Sequence, residues 1–270
     1  MNLQPTVNQR SLVAALRRAS ATAPDGTAAW DVLNAAGLTS AAGRDVPDVL
    51  QWGLLDWCLA LEELGTAAHD AVLALAVHAS LDAFQAAGER LCDAPRRLES
   101  VVRRCRAEAG VPPAGSPADS LTDRGLIIRA AYAIGIGRGC LELAQARAAD
   151  RTVSGRRLIE FQGPAHRLAN TAVLLADARI GVWRAATGED AGTAAGSGAA
   201  ACAATSVGAA VDAAHELVQA HGAAGTSDQR VVELYRAAYA LANTCGSPQL
   251  LWARAGRQWL AAGASSPEAC

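Results

Sequence analysis

The stretch DSLTDRGLIIRAAYAIGIGRGCLELAQARAAD, residues 119–150, decides the fold. Asp119 or Ser120 can cap a helix there that runs to about Asp150. Its inner run AIGIGRG, residues 133–139, resembles a glycine-rich phosphate loop only superficially. No strand precedes it and it lies inside a helical pattern, so its glycines read as points of close helix packing. Downstream, a loop through Gly155 leads to a helix from about Phe161 to Ala186. A small-residue turn then spans Gly188–Gly198, followed by helices at about Ala199–His221, Ser227–Ala242 and Pro248–Ala262. Long helices with short connections predict an all-α protein with a C-terminal antiparallel four-helix bundle.

Upstream, three prolines and two glycines in the eight residues Gly110–Pro117 mark a linker. The chain thus divides into an N-terminal helical domain (1–110), a linker (111–118) and the bundle (119–270). In the first part, residues 6–19 form an amphipathic helix, and Leu50, Leu54, Leu55, Leu59 and Leu61 share helical spacing over 48–64. Gly65 and Thr66 are expected to turn the chain into an apolar helix at 67–87, with Glu62 and Glu63 a solvated pair at that turn. The six arginines of 90–106 read as a solvated helix face.

Composition agrees. The chain has 270 residues, 51% apolar, with 65 alanines and few aromatics, which favours close-packed helices over sheets. All 24 basic residues are arginine. A net charge of −2 argues against nucleic acid as the main partner. Seven scattered cysteines offer no metal-ligand spacing, so free thiols in a reducing cytosol are expected. The N-terminus shows no secretion signal, and no stretch reaches the about 18 apolar residues of a membrane span. A cytoplasmic protein without membrane contact is the expectation.

Three stretches carry a family resemblance. RTVSGRRLIEFQGPAHRLAN (151–170), followed by ADARIGVWRAA (176–186), resembles the acyl-CoA dehydrogenase region with R-x-x-F-G, F-Q, R-L-A and A-R. QAHGAAG (219–225) resembles that family's Q-x-x-G-G-x-G turn, with VELYR (232–236) in place of its Y-R. LEELGTAAHDAVLALAVH (61–78) is similar to the family's N-terminal helices. The resemblance implies an N-terminal helical domain, a middle β-barrel and a C-terminal four-helix bundle. Here the N-terminal-like part ends near residue 90 and the bundle starts near 120, so the chain looks like a degenerate member without the barrel.

The resemblance also implies a cofactor half-site. In the family the Arg of R-x-x-F-G reaches the pyrophosphate of FAD held by a neighbouring subunit. Arg151 matches it, a natural bidentate phosphate partner, while Ser154 replaces the aromatic. Gln219, Gly222 and Gly225 match the turn that approaches the dinucleotide, Ala223 replaces one glycine, and Ser247 and Gln249 match further cofactor contacts. The family's catalytic glutamate position is Cys245, and an alternative base position is Gly125; neither can act as a carboxylate base. These features imply an auxiliary, non-catalytic subunit that completes the FAD site of a full-length dehydrogenase partner, or that self-associates. The alternative is a flavin-independent lyase or cyclase using a groove opened by loss of the barrel, with His78, Tyr132, Tyr239 and Cys245 as its polar groups. An exposed, associating face carrying Trp183, Trp252 or Trp259 is expected.

Overall fold

In a computed structural model, the described residues are 5–22, 53–67, 123–192, 197–244 and 246–264. The expected linker at 111–118, the arginine-rich stretch before it, His78 and Cys245 lie outside them. Within them the chain forms α1 (Val7–Thr22), α2 (Leu54–Ala67), α3 (Asp123–Asp150), α4 (Gln162–Asp190), α5 (Ser197–His221), α6 (Gln229–Thr244) and α7 (Pro248–Ala264). A two-stranded hairpin, β1 (Thr152–Val153) and β2 (Arg156–Arg157), stands between α3 and α4. No helix among the described residues is long and apolar enough to cross a membrane.

Helix directions follow from side-chain pairs. Arg124 at the start of α3 meets Glu189 at the end of α4 at 3.8 Å. Arg167 early in α4 meets Glu216 late in α5 at 3.1 Å. The connections thus alternate up and down, and α3 and α5 run parallel. Their C-terminal ends, Arg151 and Gln219–Gly225, therefore share one end of the bundle.

α3 is the central helix, with apolar and small residues buried on every face from Gly125 to Ile136. Its glycines let three neighbours approach. A Cβ on Gly135 would collide with the Glu62 carbonyl oxygen of α2, and one on Gly65 would stand 2.6 Å from the Tyr132 carbonyl oxygen. A Cβ on Gly137 would stand 3.2 Å from Ala210 Cα on α5. On the third face, Gly139 lies beside Leu234 of α6, 3.5 Å from its own absent Cβ. The AIGIGRG run is thus a packing surface, as its helical context predicts. The alanines of α5 serve the same contact: Ala200, Ala203, Ala210 and Ala214 are all buried.

Two expectations are corrected. α2 does not turn at Gly65 and Thr66 but continues to Ala67. Thr66 Oγ1 donates to the Glu62 and Gly135 carbonyls at 2.9 and 3.2 Å, so its hydroxyl is satisfied inside the helix pair. The helix expected to stop near Ala186 runs on to Asp190 because its last turn has a task. Asp190 accepts from the Leu54 and Leu55 amides at 2.7 and 3.2 Å and so caps α2 from across the molecule. At the other terminus Thr6 and Gln9 form a reciprocal capping box for α1.

Candidate functional site

The end of the bundle that carries Arg151 is built by the hairpin. The Arg151 amide closes the last turn of α3 on the Arg147 carbonyl, and its own carbonyl accepts from Leu158 N at 2.8 Å. Between the strands, Ser154 (φ 50) and Gly155 (φ 76) both lie in the left-handed region, the signature of a tight two-residue hairpin turn. Ser154, which stands where the family's aromatic would be, is therefore the hairpin tip.

The basic side chains of this loop differ in their partners. Arg157 pairs with Glu160 at 2.7 Å and holds its carboxyl below the usual range. Arg156 lies over the Phe161 ring at 5.0 Å. Arg151 is exposed, and its guanidinium has no ion pair or hydrogen bond among the described residues. It stands at the C-terminus of α3, where a cation is favourable, at the bundle end that also carries the N-termini of α4 and α6.

Across the same end, α5 closes at His221, whose Nδ1 meets the Leu217 carbonyl at 2.9 Å. Gly222 (φ 60) stops the helix as a C-terminal cap and has open space where a Cβ would be. Gly225 is buried, and a Cβ there would come 3.0 Å from His221 Cβ. Ala223 is exposed and its backbone stays outside the left-handed region, so the missing second glycine costs this turn nothing. Gln219 is exposed on the last turn of α5.

Ser247 and Gln249 lie apart from this group. α6 runs back along the bundle for 16 residues, about 24 Å, before α7 begins. Ser247 is the N-cap of α7: its carbonyl accepts from Leu251 N at 3.1 Å, and its hydroxyl faces Leu250 N at 3.4 Å. Gln249 is exposed in the following turn. Arg254 then fastens α7 to Asp123 at 3.0 Å. Gly125, the alternative base position, is buried in the first turn of α3. Of the three tryptophans, Trp252 and Trp259 are 52% and 74% exposed on α7, while Trp183 is half-buried.

Glu62 and Glu63 are not a solvated pair. Both are buried and each is claimed by arginines from other helices. Arg179 Nε and Trp183 Nε1 of α4 each donate to Glu62 at 2.7 Å, and Arg179 also lies 4.4 Å over the Trp183 ring. Arg17 of α1 donates to both Glu63 oxygens at 2.8 and 2.9 Å, and Arg138 of α3 adds a contact at 3.1 Å. Burial pushes Glu62 above its ordinary value, only partly opposed by Arg179. For Glu63 burial also works upward, but the Arg17 bonds and the Arg138 charge outweigh it and hold the carboxyl below the ordinary value.

The thiols are inert here: burial pushes Cys140 and Cys202 up to about 12, and Cys58 well above its ordinary value. Among the described residues no His, Cys, Asp and Glu side chains cluster to hold a metal ion.

Comparison with known proteins follows the same outline. The model of the acyl-CoA dehydrogenase C-terminal domain matches residues 122–260. Curated proteins give no match. Among solved structures, butyryl-CoA dehydrogenase from Megasphaera elsdenii is 15% identical, with a TM-score of 0.69 over 96% of this chain and 100% of that one. The steroid ACAD Tcur3481-Tcur3483 is 18% identical, with a TM-score of 0.68 over 96% and 99%. Acyl-CoA dehydrogenase from Geobacillus kaustophilus is 24% identical with a TM-score of 0.48, and there the chain covers 36% of the relative's length and 51% of its own. With a family model spanning more than half its residues, the chain belongs to the acyl-CoA dehydrogenase family.

Proposed function

We propose that this chain is an auxiliary subunit that helps hold FAD for a full-length acyl-CoA dehydrogenase partner and supplies no catalytic base. One observation carries the reading: Arg151, exposed and unpaired among the described residues, shares a bundle end with the Gln219–Gly225 turn. Those groups fit the diphosphate of a dinucleotide, a guanidinium opposite a backbone turn left open by glycine. FAD, when bound, supplies the hydride acceptor. Arg151 would neutralise its diphosphate, Gln219 would donate to it, and Gly222 would leave room for it. Neither Gly125, a buried helix glycine, nor Cys245 supplies a carboxylate, so the proton next to a thioester carbonyl would have to be removed by the partner. The lyase or cyclase alternative gains no support, because Tyr132 is fully buried and Tyr239 is engaged with His215.

Coexpression with a full-length acyl-CoA dehydrogenase homologue tests the proposal. The two chains should co-purify with flavin, and Arg151→Ala should lower flavin affinity by about ten- to a hundredfold, the worth of one charge-assisted contact. A flavin-free homo-oligomer that ignores the homologue, or an Arg151→Ala complex with unchanged flavin content, would overturn it.

A further inference from the structure

We propose that one face of α7 pairs with the same face of a second copy of this chain, the two helices antiparallel about a two-fold axis. The pairing concerns α7 alone and does not rest on the flavin reading. α7 lies on α5 and buries Leu251 and Ala255, so an ordinary amphipathic helix would be polar elsewhere. Instead Trp252 and Trp259 are more than half exposed, and Leu260 beside them is 72% exposed. Between the tryptophans, Gly256 is exposed and nothing lies within 4 Å of its missing Cβ. A mid-helix glycine weakens a helix relative to alanine. At Gly65, Gly135 and Gly137 a neighbouring helix comes close over the missing Cβ and offsets that weakness. At Gly256 no described residue of the chain does so.

Large and small residues alternate along this face. Trp252, Gly256, Trp259 and Gly263 follow one another at steps of four, three and four residues, which keeps them on one stripe. The stripe is self-complementary in one antiparallel register. With the axis between Arg257 and Gln258, Trp259 of each copy falls over Gly256 of the other, and Trp252 over Gly263. Each indole then enters a notch that a Cβ would close, the interdigitation by which helices pack closely. Charge agrees with this register. α7 carries two arginines and no acid, so two copies would repel if arginines met. Here Arg254 falls opposite Ala261 and Arg257 opposite Gln258. A lipid surface would accept any large apolar side chain at these positions and has no use for glycine at 256. At about 250 Å² for a whole indole side chain, the exposed parts of both tryptophans give about 300 Å² per copy. Doubled by the two-fold, and with Leu260 and the backbone around Gly256 added, the pair approaches the about 1,000 Å² at which specific interfaces begin. The dimer is therefore weak and reversible.

The test is sedimentation of the full chain from about 1 to 100 μM, where a monomer–dimer equilibrium should appear. Gly256→Trp sets two indoles against each other and should weaken dimerisation at least about tenfold. Gly256→Leu, a better helix former than glycine, should do the same. Gly256→Trp combined with Trp259→Gly exchanges knob and notch, so each indole again meets a glycine. That double variant should dimerise at about the original strength. Circular dichroism should show unchanged helix content in every variant. A chain that stays monomeric over the range would overturn the proposal. So would a Gly256→Trp or Gly256→Leu chain that pairs as tightly as the original, or an exchanged variant no tighter than Gly256→Trp. A monomer whose tryptophan fluorescence shifts on phosphatidylcholine–phosphatidylglycerol vesicles would overturn it too and assign the face to lipid.

Discussion

Removing the charge from Glu63 probes the junction of α2 with α1 and α3. In Glu63→Gln one oxygen becomes an NH2 group that faces Arg17 or Arg138, both donors, so at least one guanidinium loses its acceptor. Breaking a buried pair typically costs about 3–5 kcal/mol. Here Arg17 is 56% exposed and Arg138 22% exposed, so both can regain water, and about 2–3 kcal/mol is the expected loss. In a chain of this size that lowers Tm by roughly 5–10 °C. The pH dependence carries the sign. Glu63 titrates below its ordinary 4.5 in the folded protein, so its stabilisation is full above that value and fades as pH falls through the folded one. The gap between the original chain and Glu63→Gln, measured by urea unfolding, should therefore be widest near neutrality and close as pH falls below 4.5 and through the lowered folded value. Glu62 is shifted the other way: its folded form gains protons above the ordinary range, so its contribution declines as pH rises. Glu62→Gln should cost less than Glu63→Gln at pH 7. Equal losses, or a Glu63→Gln gap that does not change between pH 7 and 4, would refute the assignment of charge to Glu63.

Three further outcomes are expected. Gly135→Ala forces α2 and α3 apart where a Cβ would meet the Glu62 carbonyl oxygen, and should cost about 1–3 kcal/mol in urea unfolding with helical content retained. Asp190→Ala removes the cap of α2 and should cost about 0.5–2 kcal/mol, with Asp190→Asn recovering most of it. Cys58, Cys140 and Cys202 should resist alkylation at pH 8 in the native chain and react once it is unfolded, read residue by residue by mass spectrometry.

What the sequence revealed and what it hid have physical reasons. Helix periodicity depends on local order alone, so the helices of the bundle were legible, and so was the packing role of the Gly135–Gly137–Gly139 row. The ends of α2 and α4 were not legible. A glycine such as Gly65 commonly ends a helix, but here its missing Cβ is used against α3, and α4 extends because Asp190 serves α2, more than a hundred residues away in the chain. Glu62 and Glu63 read as solvated for the same reason: their partners come from α1, α3 and α4, and nothing within LEELG reports them. The hairpin at 152–157 was hidden because Ser154, a non-glycine, takes a left-handed conformation, which sequence associates with glycine. The His215–Tyr239 contact joins two helices and has no local signature either.

The two ends of the bundle differ in what their polar groups still have to give. At the end holding Ser247, the hydroxyl and carbonyl are committed to capping α7, and Arg254 is committed to Asp123. These groups close the fold on itself. At the opposite end the helices stop with glycine and a hairpin. The His221 ring meets the Leu217 carbonyl in the last turn of α5, while Arg151 and Gln219 are exposed there. A cation at the negative pole of α3 is favourable without any ligand, which accounts for its presence but not for the open turn at the same end. Glycine at Gly222 ends α5 with nothing within 4 Å of the missing Cβ, so the space is left free rather than filled by the chain itself. The exposed guanidinium, the amide side chain and the unfilled turn at that end are the groups on which the proposed subunit role rests.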